Sequence, residues 1–197
     1  MSLTIVLPLV LAINPSLPAR SVSELTALAK AKPGVLNYGS AGNGSATHLA
    51  SELFKYVTGT SIVNVPYNGG GPAIVALLGG QVSMVLSSIP PALPHIKSGR
   101  LIALGVSGAK RNAALPEVPT IAEAGLSGFE VNEWQGAVVA SATPKGIIDR
   151  LNKEIVSALT SQDLKNRVAT GVGAEIVGSA PDELASISKT NCRGGRK

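Results

Sequence analysis

Cysteine is all but missing from this chain. The one thiol, Cys192, lies in a polar stretch close to the C-terminus. A lone cysteine cannot form an internal disulfide and is too few for a structural zinc site, so it is read as an incidental thiol. Aromatic rings are nearly as scarce, with three Tyr, two Phe and one Trp in 197 residues. That leaves little on which to stack bases. The formal net charge of +5 does not point to nucleic acid either. Four positive charges, Lys189, Arg193, Arg196 and Lys197, crowd into the last nine residues, and without them the charge is +1. Beyond the pair Lys110-Arg111 no basic cluster is left, and nucleic acid is not among the expected partners.

Catalytic signatures are absent as well. There is no G-x-S-x-G elbow, no H-E-x-x-H and no C-x-x-C. The acids are few and dispersed, with no close pair for general acid–base work. Of the two histidines, His48 falls on the first turn of an expected helix and His95 within Pro94-His-Ile-Lys, near the surface. No catalytic residue, metal or cofactor is expected, and the scarcity suits a protein that binds and releases. The longest apolar run, Leu3 to Ile13, contains Pro8 and is too short for a membrane span. No Lys or Arg precedes it, as a secretory signal would require, so it reads as a buried strand.

What the chain does have is Ala, Val, Leu, Ile and Gly, which suit strands buried on both faces and covered by small-residue helices. Strand-like and helix-like segments alternate throughout, which predicts an α/β sheet. Strands are expected at 10–14, 35–40, 61–67, 81–86, 101–107, 136–140 and 174–177. Helices are expected at 21–32, 46–57, 72–78, 90–97, 120–124, 162–169 and from 181, with a long one opened by Thr143 as N-cap and Pro144. Ser21/Glu24 and Thr120/Glu123 are capping boxes. The apolar face of the 46–57 helix is read as Ala46, Leu49, Ala50, Leu53, Phe54 and Val57.

The segment that carries chemistry is Leu36-Asn-Tyr-Gly-Ser-Ala-Gly-Asn-Gly-Ser-Ala-Thr-His-Leu, running from strand through turn to helix. Its glycines allow positive φ and close approach of a ligand. The helix behind it presents free N–H groups and the positive end of its dipole. Ser40, Asn43, Ser45 and Thr47 add short polar side chains, which makes an anion cradle. Gly39 and Gly44 fit the frame of a P-loop, but Ser45-Ala46 stands where Lys-Ser/Thr should follow. Gly42 and Gly44 begin a dinucleotide fingerprint, but its third glycine position is Thr47. The neutral, hydrogen-bonding cradle suits a carboxylate. A second cluster, Val65-Pro-Tyr-Asn-Gly-Gly-Gly-Pro72, also joins a strand to a helix, and a third strand ends in Ser87-Ser88. Three such loops on one sheet edge would face the same crevice, where Tyr67 could offer its hydroxyl.

These motifs together resemble the tripartite tricarboxylate transporter substrate-binding proteins, the Bug family of solute receptors. The resemblance rests on Asn14-Pro-Ser-Leu-Pro-Ala, the 36–45 segment with His48-Leu, Val65-Pro-Tyr-Asn-Gly-Gly and Leu78-Gly-Gly-Gln-Val. It continues with Pro94-His-Ile-Lys-Ser-Gly and Leu115-Pro-Glu-Val-Pro-Thr-Ile-Ala-Glu-Ala-Gly. It implies a type II periplasmic binding fold with two α/β lobes, of which one is nearly complete here and the second partial. It implies a receptor, not an enzyme, that delivers a small carboxylate (di- or tricarboxylate, amino acid or similar) to membrane permease subunits. A periplasmic location follows from the same resemblance. Family contacts carry over to Ser40, Gly42, Asn43, Gly44 and Ser45, with His48, Tyr67, Gly70 and Ser88 completing the expected ligand-binding set.

The expected division is 1–14 as a strand of the incomplete first lobe and hinge, and 15–135 as the second, ligand-binding lobe. Residues 136–188 are the C-terminal part of the first lobe and 189–197 a basic disordered tail. Family members carry more of the first lobe, so the chain reads as N-terminally truncated. Weak solute binding and exposed apolar surface are expected of it. The alternative function is the effector-sensing lobe of a transcriptional regulator, which shares this fold.

Overall fold

The computed structural model describes residues 2–168 and 173–184. The chain forms two compact units, residues 8–133 and residues 1–7 with 134–197.

In the larger unit the sheet runs in the order β3-β2-β4-β1-β5. Its strands are the later part of β1 (Ser2–Ile13), β2 (Asn37–Ser40), β3 (Val63–Pro66), β4 (Met84–Ser88) and β5 (Ile102–Val106). β2 pairs in parallel with both β3 and β4, while β1 pairs antiparallel with β4 and β5. Residues along β1 alternate between two cores. Leu9, Leu11 and Ile13 join one with Tyr38, Phe54, Met84 and Phe129. Val10 and Ala12 join the other with Ile74, Leu77, Val85 and Ile89. The two-residue repeat of a strand puts successive side chains on opposite faces, so a continuous apolar run is what a doubly covered sheet requires.

Four helices cover this sheet: α1 (Val22–Ala31), α2 (Ala46–Thr58), α3 (Gly70–Leu78) and α4 (Ile89–Lys97). Ser21 caps α1 as expected, but the return bond of the Ser21/Glu24 box goes to the residue before the cap. Glu24 N–H donates to Ser21 Oγ at 3.1 Å, and Arg20 N–H to Glu24 Oε2 at 2.6 Å. Helix α2 stops at Gly59, in the left-handed region with φ of 63°.

The sequence-based expectations differ from the structure in three places here. The apolar run forms one strand over Ser2–Ile13, in line with its reading as a buried strand, so the narrower bound of 10–14 is too short. Pro8 is accommodated because β1 pairs with a strand of the smaller unit at Ile5 and Val6 and with β4 only from Leu9 onward. The buried face of α2 is Thr47, Ala50, Ser51, Phe54 and Thr58, while Leu49, Leu53 and Val57 are exposed. The buried hydroxyls are tolerated because they bond inside the helix, Ser51 Oγ to Thr47 O at 2.8 Å and Thr58 Oγ1 to Phe54 O at 2.6 Å. Residues 121–125 form a turn instead of a helix. The Thr120/Glu123 box does close, with both bonds at 3.0 Å. Gly125, at φ of 110°, then ends the turn before it can propagate.

The smaller unit contains the start of β1, most of β6 (Asn132–Ala137), α5 (Lys145–Leu159), α6 (Gln162–Arg167) and β7 (Glu175–Ile176). Both β6 and β7 pair with β1. Helix α5 begins at Lys145 with Pro144 in the cap position, one residue later than Thr143 would have set it, and no side chain caps it. No residue of α5 is buried, and Ile147 and Leu151 on its apolar stripe are exposed. The chain is helical again over residues 181–184. The expected end of α6 at Ala169, the continuation to Ser188, Cys192 and the basic tail lie outside the described residues.

Candidate functional site

Strands β2, β3 and β4 run parallel, so their C-terminal ends lie on one edge of the sheet of the larger unit. From those ends emerge the turn 41–45, the turn 67–69 and Ser88, each leading directly into a helix. The edge of a parallel sheet gathers loops this way because every strand must leave it in the same direction.

The first turn is tied down by its own side chains. Ser45 caps α2, accepting from His48 N–H at 3.3 Å and donating to Gly42 O at 2.7 Å. Thr47 is buried, and its Oγ1 accepts from Ala41 N–H at 2.9 Å. The ring of His48 turns back, and its Nδ1 accepts from Gly44 N–H at 3.2 Å. That bond puts the neutral ring's proton on Nε2. A relay crosses to the neighbouring strand: Ser40 Oγ donates to Asn64 Oδ1 at 2.9 Å, and Asn64 Nδ2 donates to Asn43 Oδ1 at 2.9 Å. Gly42 has φ of 120°, where a side chain would be strained. At Gly39 a Cβ would sit tightly, 3.3 Å from Ala73 and Val85, so those side chains would have to give way slightly.

Once these bonds are drawn, the remaining donors stand out. Among the described residues, the N–H groups of Gly42, Asn43, Ala46 and Thr47 have no acceptor within the chain. The last two belong to the first turn of a 13-residue helix, whose dipole adds partial positive charge there. Such a cluster offers hydrogen bonds to an anion without a formal charge. The hydroxyls of Ser40 and Ser45 are already committed as donors, so they shape the turn instead of presenting protons to a ligand.

Behind the turn, Tyr38 is fully buried and its hydroxyl donates to Glu52 Oε1 at 2.6 Å. Burial first, then that bond and the charge of Glu52, push the Tyr38 hydroxyl well above the ordinary tyrosine range. Glu52 pairs with Lys55 at 2.7 Å. Its own burial works to raise it, but the bonds from Lys55 and Tyr38 outweigh that and hold it below the usual carboxylate range.

The other expected site residues lie on the same edge. Tyr67 N–H donates to Ser40 O at 2.9 Å, which seats the second turn against the first. The Tyr67 ring is half-buried against the second core. Gly70 opens α3, and a Cβ there would stand 3.9 Å from Ser87 Oγ. Ser88 donates its hydroxyl to Glu133 Oε2 at 2.7 Å. Asn64 and Glu133 fall outside the expected set. Asn64 directly precedes the Val65-Pro-Tyr-Asn-Gly-Gly motif without belonging to it, and Glu133 is 45 residues from Ser88 in sequence. Among the described residues no group of His, Cys, Asp and Glu could hold a metal, and no helix is long and apolar enough to cross a membrane.

A family profile described as "Tripartite tricarboxylate transporter family receptor" matches residues 2–193. Protein BugT of Bordetella pertussis is 40% identical over 176 residues, which is 89% of this chain and 54% of that protein. Three solved structures superpose closely. "R. palustris Rpa4515 with adipate" has a TM-score of 0.91 and 33% identity, covering 96% of this chain and 63% of that one. The periplasmic binding protein BugD has a TM-score of 0.90 and 29% identity, with 96% and 64% covered. MatC (Rpa3494) from Rhodopseudomonas palustris with bound malate has a TM-score of 0.89 and 30% identity, with 96% and 65% covered. The fold is thus that of periplasmic binding proteins. The chain spans about half the length of the curated relatives it matches.

Proposed function

The chain belongs to the family of tripartite tricarboxylate transporter receptors, and from that premise we propose that it captures a small carboxylate in the periplasm for membrane permease subunits of such a transporter. The observation that carries this reading is the cluster of uncommitted N–H groups at Gly42, Asn43, Ala46 and Thr47. Backbone amides at a helix N-terminus match the two oxygens of a carboxylate and need no basic side chain. Ser40, Gly44, Ser45 and His48 hold the shape of that cluster, and Tyr67, Gly70 and Ser88 border it from the two neighbouring loops. The ligands named for two of the similar structures, adipate and malate, are small carboxylates. The description of BugD as periplasmic supports the location.

The test is a titration of the uniformly 15N-labelled chain with malate, adipate, aspartate and citrate, following backbone amides. Receptors of this fold close two lobes on a ligand, so the 197 residues alone are expected to bind weakly, in the millimolar range. The Gly42 and Asn43 amides should move most. Ligand-induced shifts that avoid residues 41–47 would sink the reading, and a submicromolar complex in calorimetry would overturn the expectation of weak binding.

A further inference from the structure

Resting on the carboxylate reading, we infer that Glu133 sets the ligand class at this edge, selecting a small carboxylate that bears an ammonium group over a dianion. The geometry has two halves of opposite character. Tyr38 and Gly39 pair with Met84 and Val85 in parallel register. Gly42 lies three residues beyond Gly39, and Ser88 three beyond Val85. The donor turn and Ser88 therefore leave neighbouring strands at one level, separated by one to two strand spacings, about 5–10 Å. That is the span of a small metabolite.

At the turn, the free groups are N–H donors. At the Ser88 end the side chains are acceptors, and among the described residues the free donor beside them is Ile89 N–H at the start of α4. A serine hydroxyl has one proton, and Ser88 gives it to Glu133 Oε2 at 2.7 Å. Ser88 Oγ and both Glu133 oxygens are then left with acceptor capacity only. Ser87 adds no donor, because its hydroxyl is spent on Ser88 O at 3.1 Å. Among the described residues, Glu133 has no ion-pair partner within 4.0 Å, and Ser88 is its one hydrogen-bond donor. A half-buried carboxylate without a cation is costly unless something else supplies one. A ligand whose carboxylate occupies the amide cluster and whose ammonium reaches Glu133 satisfies both ends. A dicarboxylate would set its second negative charge against Glu133 instead.

The experiment compares 4-aminobutanoate with glutarate, which differ by an ammonium in place of a second carboxylate. Both are titrated into the 15N-labelled chain and into Glu133→Gln, which keeps the size of the side chain and an acceptor for Ser88. In the wild-type chain 4-aminobutanoate should shift the Gly42 and Asn43 amides at about tenfold lower concentration than glutarate. Glu133→Gln should abolish or reverse that preference. Equal or tighter binding of glutarate to the wild-type chain would overturn the inference and leave the carboxylate reading standing. That wild-type comparison holds even if the variant folds poorly. An unchanged preference in a folded Glu133→Gln would overturn the assignment to Glu133. Failure of both compounds to move the turn amides would overturn the carboxylate reading and this inference with it.

Discussion

Two glycine-rich turns follow neighbouring strands of one sheet, and they are built on different plans. In the first, Thr47, His48 and Ser45 hold Ala41 N–H, Gly44 N–H and Gly42 O, and Asn64 links Ser40 to Asn43. In the second, Gly69 at φ of 112° precedes α3, no side chain caps that helix, and the space beside Gly69 and Gly71 is open to 4 Å. Both offer free amides. Glycine gives the first turn its shape and side chains then lock it, whereas the second keeps the freedom glycine brings. The locked turn presents donors already in place. The second turn is held by the backbone bond from Tyr67 N–H to Ser40 O and carries no side-chain cap of its own. On the proposed carboxylate reading, the first turn is the one expected to anchor a ligand.

The comparison breaks hardest at Gly42. Replacing it with Ala puts a side chain at φ of 120° in a turn that cannot relax, because its neighbours are bonded on both sides. Gly42→Ala should cost about 3 kcal/mol of stability, read by urea unfolding, and should abolish carboxylate-induced shifts at Asn43. A variant as stable as the wild type would show that the turn is as soft as the second one. Thr47→Val ranks next. It removes the acceptor for Ala41 N–H from a buried position and should cost about 2 kcal/mol. Thr47→Ser, which keeps the oxygen, should recover more than half of that. Equal losses in the two variants would mean that the methyl group matters and the hydrogen bond does not.

Much of this contrast is legible in the sequence, and the reasons differ by residue. Local chemistry is readable: Ser21 as a cap, and the two glycine clusters as strand-to-helix turns. Each is decided within a few residues by backbone geometry. The face of α2 is not. Leu49, Leu53 and Val57 have the spacing of a core stripe, but the helix buries Thr47, Ser51 and Thr58, whose hydroxyls bond locally and so lose their cost of burial. The turn at 121–125 keeps its capping box and loses its helix, because Gly125 breaks the chain after one turn. Asn64 and Glu133 are out of reach for a different reason. Their roles come from strand order, which brings residues 21 to 45 positions apart within hydrogen-bond distance.

A gain of stability should appear at the second turn. Gly71 lies in the first turn of α3, a methyl group added there would have nothing within 4 Å, and its φ is not positive. Gly71→Ala should stabilise the chain by about 0.5 kcal/mol through helix propensity and a less flexible unfolded state. Thermal unfolding would register a rise of about 1–2 °C. A loss instead would mean that the second turn is already fixed and the contrast between the two turns is false.

The smallest effect concerns what lies beneath the first turn. Tyr38 immediately precedes Gly39, is fully buried, and donates to Glu52. Its burial and the bond and charge of Glu52 favour the neutral hydroxyl, so its pKa in the folded chain lies above that of the unfolded chain. The stability this contributes is present in full below the unfolded value of about 10. It is lost as pH rises from there towards the folded value, because the unfolded chain releases the proton first. Unfolding free energy of the wild-type chain should therefore decline between about pH 10 and 11. Tyr38→Phe should be less stable at neutral pH, having lost the bond to Glu52, but its decline over that window should be shallower. Parallel declines in the two chains would show that the hydroxyl under the first turn titrates like an exposed one, and that the turn owes its order to Thr47, His48 and Asn64 alone.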